Sequence, residues 1–317
     1  MMQPSSQVWA IVLAGGSGSR LAGITAGVPK QFCGFGGRTL LEDTIDRIAP
    51  IVDSGRTSVV VDRAHEPYLR AVNWPGPVRL LHQPRNRGTA AGVLFGLLPA
   101  IGSGCDPIVV LTPSDHGVTD EVAFQDSIRD AVEAVASGGY GVVLFGAEPS
   151  EPDGDYGWIS PAVAPRGDSG FVPVDSFVEK PSPQTAANLF EKRAVWNTMV
   201  IVARLSVLLD LYRRHLPHLV RTFAGALQVS EPARTAFLER HYESLTVADF
   251  CRDVLMQATG LWVRIWPAAV GWSDLGTPER LRRWMASAGE TDWITGRSIE
   301  SEGSYDKATM MPMEAMS

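Results

Sequence analysis

Short apolar runs alternating with stretches of helical spacing constrain the first half of this chain more than any other feature. Five runs read as buried strands: Trp9–Ala14, Thr57–Asp62, Val78–His82, Pro107–Leu111 and Tyr140–Gly146. Between them, Thr39-Leu40-Leu41-Glu42 has the pattern of a capping box, and Leu41, Ile45 and Ile48 then share one helical face. Thr89–Ile101 and Val122–Ala136 also read as helices. Buried strands alternating with helices predict an α/β fold, with a mostly parallel central sheet flanked by helices on both faces. Ligands of such sheets sit where loops leave the carboxyl ends of strands. The unusual residues here fall at those places, after Ala14, His82 and Thr112.

From about Ser150 the pattern loosens. Tyr156–Pro161, Phe171–Val178, Trp196–Ala203 and Leu261–Trp266 read as strands, with helices at Arg204–His215 and Thr277–Met285. No repeat or linker divides the chain, so residues 1–290 are expected to form one domain. The polar, Met-dotted stretch 291–317, with Met310-Met311-Pro312-Met313, has a composition that predicts a disordered tail without chemistry.

Composition removes several function classes. The formal net charge of −7 argues against gripping a nucleic-acid backbone, which calls for a basic surface. A nucleotide's few phosphates need only a local basic loop and a metal. The three cysteines, Cys33, Cys105 and Cys251, form no CxxC pair, so neither a disulfide framework nor a structural zinc is expected. Met1–Gln7 is too short and polar for a signal peptide. No apolar run approaches the ~20 residues that span a bilayer. A cytoplasmic protein with neither nucleic acid nor membrane as partner is expected.

Leu13-Ala14-Gly15-Gly16-Ser17-Gly18-Ser19-Arg20-Leu21 follows the first strand directly. Its glycines let the backbone turn sharply and point successive N–H groups into one concavity, a good cradle for an anion. Arg20 can fork onto phosphate oxygens, and Lys30 in Val28-Pro29-Lys30-Gln31-Phe32 adds a second cation. A Walker loop needs Gly-Lys-Ser/Thr, which is absent, and a dinucleotide fingerprint needs glycine where Leu21 stands. Alone, the loop also fits a glycine turn that binds nothing.

Five motifs in order remove that ambiguity: Gly15-Gly16-Ser17-Gly18-Ser19-Arg20-Leu21, Pro29-Lys30-Gln31-Phe32, Pro113-Ser114-Asp115-His116, Glu179-Lys180-Pro181 and Gly271-Trp272-Ser273-Asp274-Leu275-Gly276. Together they resemble the sugar-phosphate nucleotidylyltransferases, most closely the mannose-1-phosphate guanylyltransferases, over about Val8 to Trp284. The resemblance implies a Rossmann-like nucleotidylyltransferase domain whose second half carries the sugar pocket. It implies a nucleoside triphosphate and a sugar 1-phosphate as substrates and Mg2+ as cofactor; the sequence does not fix the oligomeric state, and a homodimer is one assembly open to it. The reaction would be in-line attack of the sugar phosphate on the α-phosphorus. No nucleophilic side chain is required, because the attacking oxygen is already an anion.

The resemblance implies Arg20, Lys30, Asp115 and Lys180 as catalytic residues and Asp115 and Asp274 as magnesium ligands. Such a set suits magnesium, which takes one or two carboxylates plus phosphate oxygens; each aspartate would otherwise be an ordinary turn or cap. Leu13, Ala14, Gly15, Gly16, Gly18, Gln83, Gly88 and Thr89 would complete the nucleotide site. Gly157 in Tyr156-Gly157-Trp158, Glu179, Lys180 and Asn197 would contact the sugar. Trp196-Asn197-Thr198-Met199 stands where the family has Trp-Asn-Ser-Gly, so Met199 alters the pocket. His116 is read as structural, and Asp253 as a further sugar-pocket candidate.

The segment Gln83-Pro84-Arg85-Asn86-Arg87-Gly88-Thr89-Ala90 departs from the guanylyltransferase pattern, which carries glutamate first and asparagine where Gly88 stands. A carboxylate gives two acceptors for guanine N1–H and its amine, whereas an amide gives one donor and one acceptor, suited to uracil or thymine. The overall resemblance favours GTP with mannose 1-phosphate; UTP or dTTP with another hexose phosphate stays open. So does a non-catalytic, sugar-nucleotide-binding regulator. A metal-dependent glycosyltransferase would show Asp-x-Asp after a central strand, where this chain has Pro-Ser-Asp-His.

Overall fold

Strand β1 (Val8–Ala14) is buried on both sides, and its side chains alternate between two helical layers. Trp9 and Ile11 pack on the layer that contains α3, whereas Ala10, Val12 and Ala14 face the layer of α1, the period of two that a strand imposes. The computed structural model describes residues 7–290 except 36, 54 and 164–169, together with 292–294 and 310–312.

The remaining strands follow in order. They are β2 (Gly34–Phe35), β3 (Arg38–Thr39), β4 (Thr57–Asp62), β5 (Val78–Gln83), β6 (Ile108–Pro113) and β7 (Val142–Ala147). The second half adds β8 (Gly157–Pro161), β9 (Val172–Glu179), β10 (Val195–Arg204), β11 (Leu261–Trp266), β12 (Asp292–Ile294) and β13 (Met310–Pro312). The helices that matter here are α1 (Leu40–Ile48), α2 (Glu66–Leu69), α3 (Thr89–Gly102), α4 (Glu121–Ala136) and α5 (Pro183–Glu191). After them come α6 (Leu205–His215), α7 (Pro217–Leu227), α8 (Glu231–Tyr242), α9 (Phe250–Asp253) and α10 (Pro278–Ala288). α1 starts at the expected capping box: the Glu42 N–H donates to Thr39 Oγ1 at 3.2 Å and the Thr39 N–H to Glu42 Oε2 at 2.6 Å.

The main sheet has nine strands in the order β5-β4-β1-β6-β10-β7-β11-β9-β8. Pairing β5, β4, β1 and β6 in parallel, then reversing at β10, at β7, at β9 and at β8, leaves seven strands pointing one way and only β10 and β9 opposed. The expectation of a mostly parallel α/β sheet therefore holds for strand direction, with two opposed strands that the apolar runs did not reveal. α3, α6, α7 and α8 cover one face, and α1 and α4 the other.

The chain runs from β1 outward to β4 and β5, then returns to place β6 on the opposite side of β1. The loops after β1 and β6 therefore diverge at the switch point of the sheet, where α/β sheets bind ligands. β12 pairs with β2 and β13 in a small second sheet. These two stretches belong to the segment 291–317; the rest of the expectation for that tail lies outside the described residues. No helix among the described residues is long and apolar enough to cross a membrane.

Candidate active site

The glycine loop after β1 is held from beneath. Gln31 Nε2 donates to the carbonyls of Ala14 and Gly16 at 2.7 and 3.0 Å, and His65 Nδ1 lies 3.2 Å from the Ala14 carbonyl. Ala14 is fully buried, and its carbonyl fixes the loop through Gln31. Gly18 has a φ of 62°, and a Cβ there would stand 2.7 Å from the Lys30 backbone nitrogen. Only glycine lets the loop pass that close.

Lys30 is 5% exposed, which is rare for a lysine and demands partners. Its Nζ lies 2.9 Å from Asp115 Oδ2, after β6, and also donates to the carbonyl of Asp274. The two loops are joined by reciprocal backbone hydrogen bonds between Gly117 and Ser273, at 2.9 and 3.0 Å. The residues that sequence placed 159 positions apart thus flank one buried ammonium.

Asp274 is heavily engaged. The Tyr156 hydroxyl donates to Oδ1 at 2.8 Å and the Gly276 N–H to the same oxygen at 3.0 Å. Arg280 Nη1 reaches Oδ1 and Oδ2 at 3.2 and 3.0 Å. Arg280 also contacts Asp153 and lies 4.2 Å over the Tyr156 ring. Burial pushes the Asp274 carboxyl up, but Lys30 and Arg280 outweigh it and hold the group below the usual carboxylate range. Arg20 stands outside this knot, exposed, at 3.3 Å from Asp155 and 3.9 Å from Asp274.

His116 is half-buried beside Asp115. Burial lowers its pKa to about 4, and Trp272 Nε1 donates to its Nδ1 at 3.2 Å. A neutral ring held by an indole supports the structural reading.

A cleft of about 200 Å³ opens above the switch point, and Leu13, Gly15, Gly16, Gln83, Gly88, Thr89 and Asp115 line it. Seven residues expected for the nucleotide thus line one cleft. Two have structural duties as well. A Cβ on Gly88 would lie 2.1 Å from the Ala248 carbonyl oxygen, so close packing requires glycine here whatever the base. Thr89 Oγ1 donates to Asp249 at 3.1 Å and accepts from the Phe250 N–H at 2.8 Å, so its hydroxyl is turned to α9.

On the sugar side, Gly157 pairs with Glu179 across β8 and β9, and a Cβ on Gly157 would stand 2.5 Å from Glu179 Oε2 and 3.3 Å from Asn197 Cβ. Glu179 Oε2 is buried without a hydrogen-bond partner, an acceptor in want of a donor. Burial, with Asp249 nearby, raises the Glu179 pKa to about 7. Lys180 follows it, exposed, with a φ of 48°. Asn197 is buried; its amide donates to Cys251 Sγ at 3.4 Å and its Oδ1 accepts from the Met199 N–H at 3.1 Å. Asp253 accepts from the Asp249 N–H at 2.7 Å, which gives it a capping duty.

Five non-glycine residues among those described have left-handed φ, and three of them, Lys180, Met199 and Leu275, lie in this region. Such strain concentrates where a surrounding structure dictates an unusual backbone. Met199, at φ 59°, sits in the irregular register of β10 where glycine would rest without strain.

The sequence pattern of the nucleotidyl transferase family matches residues 9–290. The chain belongs to that family. The xanthan biosynthesis protein XanB of Xanthomonas campestris is 30% identical over 283 residues, covering 86% of this chain and 58% of that protein. A mannose-1-phosphate guanylyltransferase of Escherichia coli is 29% identical over 320 residues, covering 95% of this chain and 65% of that protein. The chain thus spans less than two thirds of the length of either relative. A solved structure described as mannose-1-phosphate geranyltransferase from Thermus thermophilus superposes with a TM-score of 0.74 at 31% identity, covering 88% of this chain and 79% of that one.

In this nucleotidyl transferase the donors for magnesium divide. Asp115 fits: it is about one third exposed, its Oδ1 has only the His116 ring, at 3.9 Å, among the described residues, and it borders the cleft. The Asp274 carboxylate does not fit as it stands, since Arg280, Tyr156 and the Gly276 N–H already occupy it. Among the described residues no three His, Cys, Asp or Glu side chains converge as a metal cluster. One carboxylate plus substrate phosphates is a normal magnesium environment.

Sequence reasoning missed Arg280, Asp153 and Asp155, and it quoted Tyr156 and Gln31 without a role of their own. Arg280, in Thr277-Pro278-Glu279-Arg280, looks like any charged residue of a helix's first turn. The one available signal was its position six residues after Asp274.

Proposed function

We propose that this nucleotidyl transferase joins GTP to mannose 1-phosphate, giving GDP-mannose and pyrophosphate. The observation that carries the reading is the buried Lys30 ammonium beside the glycine loop, held by Asp115 and by the Asp274 carbonyl. The names of the similar proteins from Escherichia coli and Thermus thermophilus support mannose 1-phosphate as the acceptor.

The sugar phosphate oxygen forms a bond to the α-phosphorus while the bond from that phosphorus to the α–β bridging oxygen breaks. Pyrophosphate leaves with the electron pair. No proton must be removed from the attacking anion, in keeping with a neutral His116. The barrier is repulsion between anions, and cations fixed beforehand lower it without reorganising during the reaction. Lys30 is the fixed charge, Arg20 the exposed one that can swing from Asp155 to the triphosphate. The N–H groups of Gly15 to Gly18 cradle phosphate oxygens. Magnesium, when bound, supplies Lewis-acid stabilisation of the phosphoryl oxygens; Asp115 is the residue suited to hold it. The unpartnered Glu179 Oε2 accepts from sugar hydroxyls, and the neighbouring Lys180 neutralises the sugar phosphate.

Two observations favour other readings. Gln83, in place of a carboxylate, favours UTP or dTTP. The engagement of Asp274 by Arg280 favours a non-catalytic, sugar-nucleotide-binding regulator. The presence of Arg20, Lys30 and Asp115 weighs for the enzyme. Pyrophosphate release over a matrix of nucleoside triphosphates and sugar 1-phosphates, with magnesium, tests the proposal. Turnover is expected to be fastest for GTP with mannose 1-phosphate. Fastest turnover with UTP or dTTP would transfer the base assignment, and no turnover for any pair would contradict the enzyme.

A further inference from the structure

A second cavity, of about 750 Å³, opens at the free edge of the main sheet. β5 is the edge strand there, and its residues line the cavity together with α3 and α8. It shares no lining residue with the nucleotide cleft. The cleft meets α3 in its first turn, at Thr89 and Gly92, whereas this cavity meets it from Phe95 onward.

Three arginines and one histidine line the cavity, and no Asp or Glu does among the described residues. Arg63 pairs with Glu239, and His82 with Glu66 at 3.4 Å. Arg79 and Arg234 lack such partners. Each spends its Nε on a backbone carbonyl, that of Gly55 at 3.2 Å and that of Ala226 at 3.1 Å. Those bonds hold the guanidinium planes and leave the terminal nitrogens with no hydrogen-bond partner among the described residues. Two uncompensated guanidinium groups in one cavity call for an anion, and their forks suit phosphate oxygens.

The remaining wall is apolar and partly aromatic, with Trp9, Phe95, Leu98 and Leu238. Arg79 lies 5.7 Å over the Trp9 ring. The indole N–H of Trp9 is buried with no acceptor among the described residues, a second unmet donor in the same place. An aromatic wall beside stacking guanidinium groups suits a planar ring better than an alkyl chain.

We propose that this cavity is a second nucleotide-class site, separate from the cleft. Arg79 and Arg234 take the phosphates, and the wall of Trp9 and Phe95 takes the base. The site plays no part in the transfer reaction, and its existence does not depend on which reaction the cleft performs.

The probe is GDP carrying a fluorescent N-methylanthraniloyl group on its ribose, titrated into the full chain with magnesium. Arg79→Gln with Arg234→Gln should weaken one binding component by about tenfold or more, the scale of losing charge-assisted hydrogen bonds. Lys30→Met, which alters the cleft, should leave that component within about twofold. Arg79→Lys with Arg234→Lys keeps the charges without the forks and should regain only part of the affinity. This variant also reads the site if the glutamine pair fails to fold. Unlabelled GDP should displace the probe from this component at least about tenfold better than inorganic pyrophosphate, which leaves the apolar wall uncovered. Absence of any component that depends on the arginine pair and not on Lys30 would overturn the second site. Equal displacement by pyrophosphate would overturn its nucleotide class. Loss of a Lys30-dependent component alone would count against the cleft and leave this site standing.

Discussion

The Arg280 guanidinium grips both carboxylate oxygens of Asp274, at 3.2 and 3.0 Å, and contacts Asp153 with its other nitrogen. It thereby ties the loop before α10 to the loop before β8 and seals Tyr156 between them. Arg280 is 9% exposed, so its charge is tolerated because its partners surround it. Removing it leaves the Asp274 and Asp153 carboxylates without the guanidinium they share, in a partly buried setting. Arg280→Met is expected to lower stability by about 3–5 kcal/mol in urea unfolding without magnesium. Magnesium should restore part of the loss, because the Asp274 carboxylate then becomes available to the ion. A variant as stable as the parent, or indifferent to magnesium, would contradict this account of Asp274.

Lys30 is expected to act on rate rather than on folding alone. Lys30→Met should cut kcat by about 10²–10³-fold, the scale of losing one preorganised charge at the transition state. Steady-state kinetics at saturating substrate would check it. Lys30→Arg cannot reproduce a point charge in so tight a space and should recover little.

Glu179 gives a pH signature. Its folded pKa is about 7, above the ordinary glutamate value, so the folded state holds a proton that the unfolded state has lost. Stability from this group therefore declines as pH rises from the unfolded pKa toward 7. Glu179→Gln should raise Tm at pH 8 and change it little at pH 4. If the carboxylate also accepts sugar hydroxyls, the parent's KM for the sugar phosphate should rise below pH 7, and the variant should lose that step. Parallel pH profiles for the two proteins would contradict both points.

Much of this was legible because strands and phosphate loops are local. Trp9–Ala14 must be a buried strand, and Gly15 to Gly18 must turn after it, on chemistry contained in ten residues. Asp115 and Asp274 were each visible in their own motif. What stayed hidden depends on segments distant in the chain. The Gly88 requirement comes from the Ala248 carbonyl, and the engagement of Asp274 comes from a helix that begins three residues beyond Leu275. The reversal of β10 is likewise invisible in its apolar run, since direction is decided by the helices that carry the chain back.

Met199 tests the strain assigned to β10. Its φ of 59° is open to glycine and poorly open to a β-branched residue. Met199→Val should destabilise by about 2 kcal/mol, whereas Met199→Gly should lose less despite its smaller side chain. Denaturant midpoints that rank the two the other way would show that packing, rather than backbone conformation, governs this position.

The central claim is nucleotidyl transfer to a sugar phosphate. Its most direct measurement is the product mixture from GTP, mannose 1-phosphate and magnesium, resolved by mass spectrometry. The account expects GDP-mannose and pyrophosphate in equal amounts, strongly reduced in Lys30→Met and in Asp115→Asn. Inorganic phosphate with GDP in place of these products, or no product at all, would contradict it.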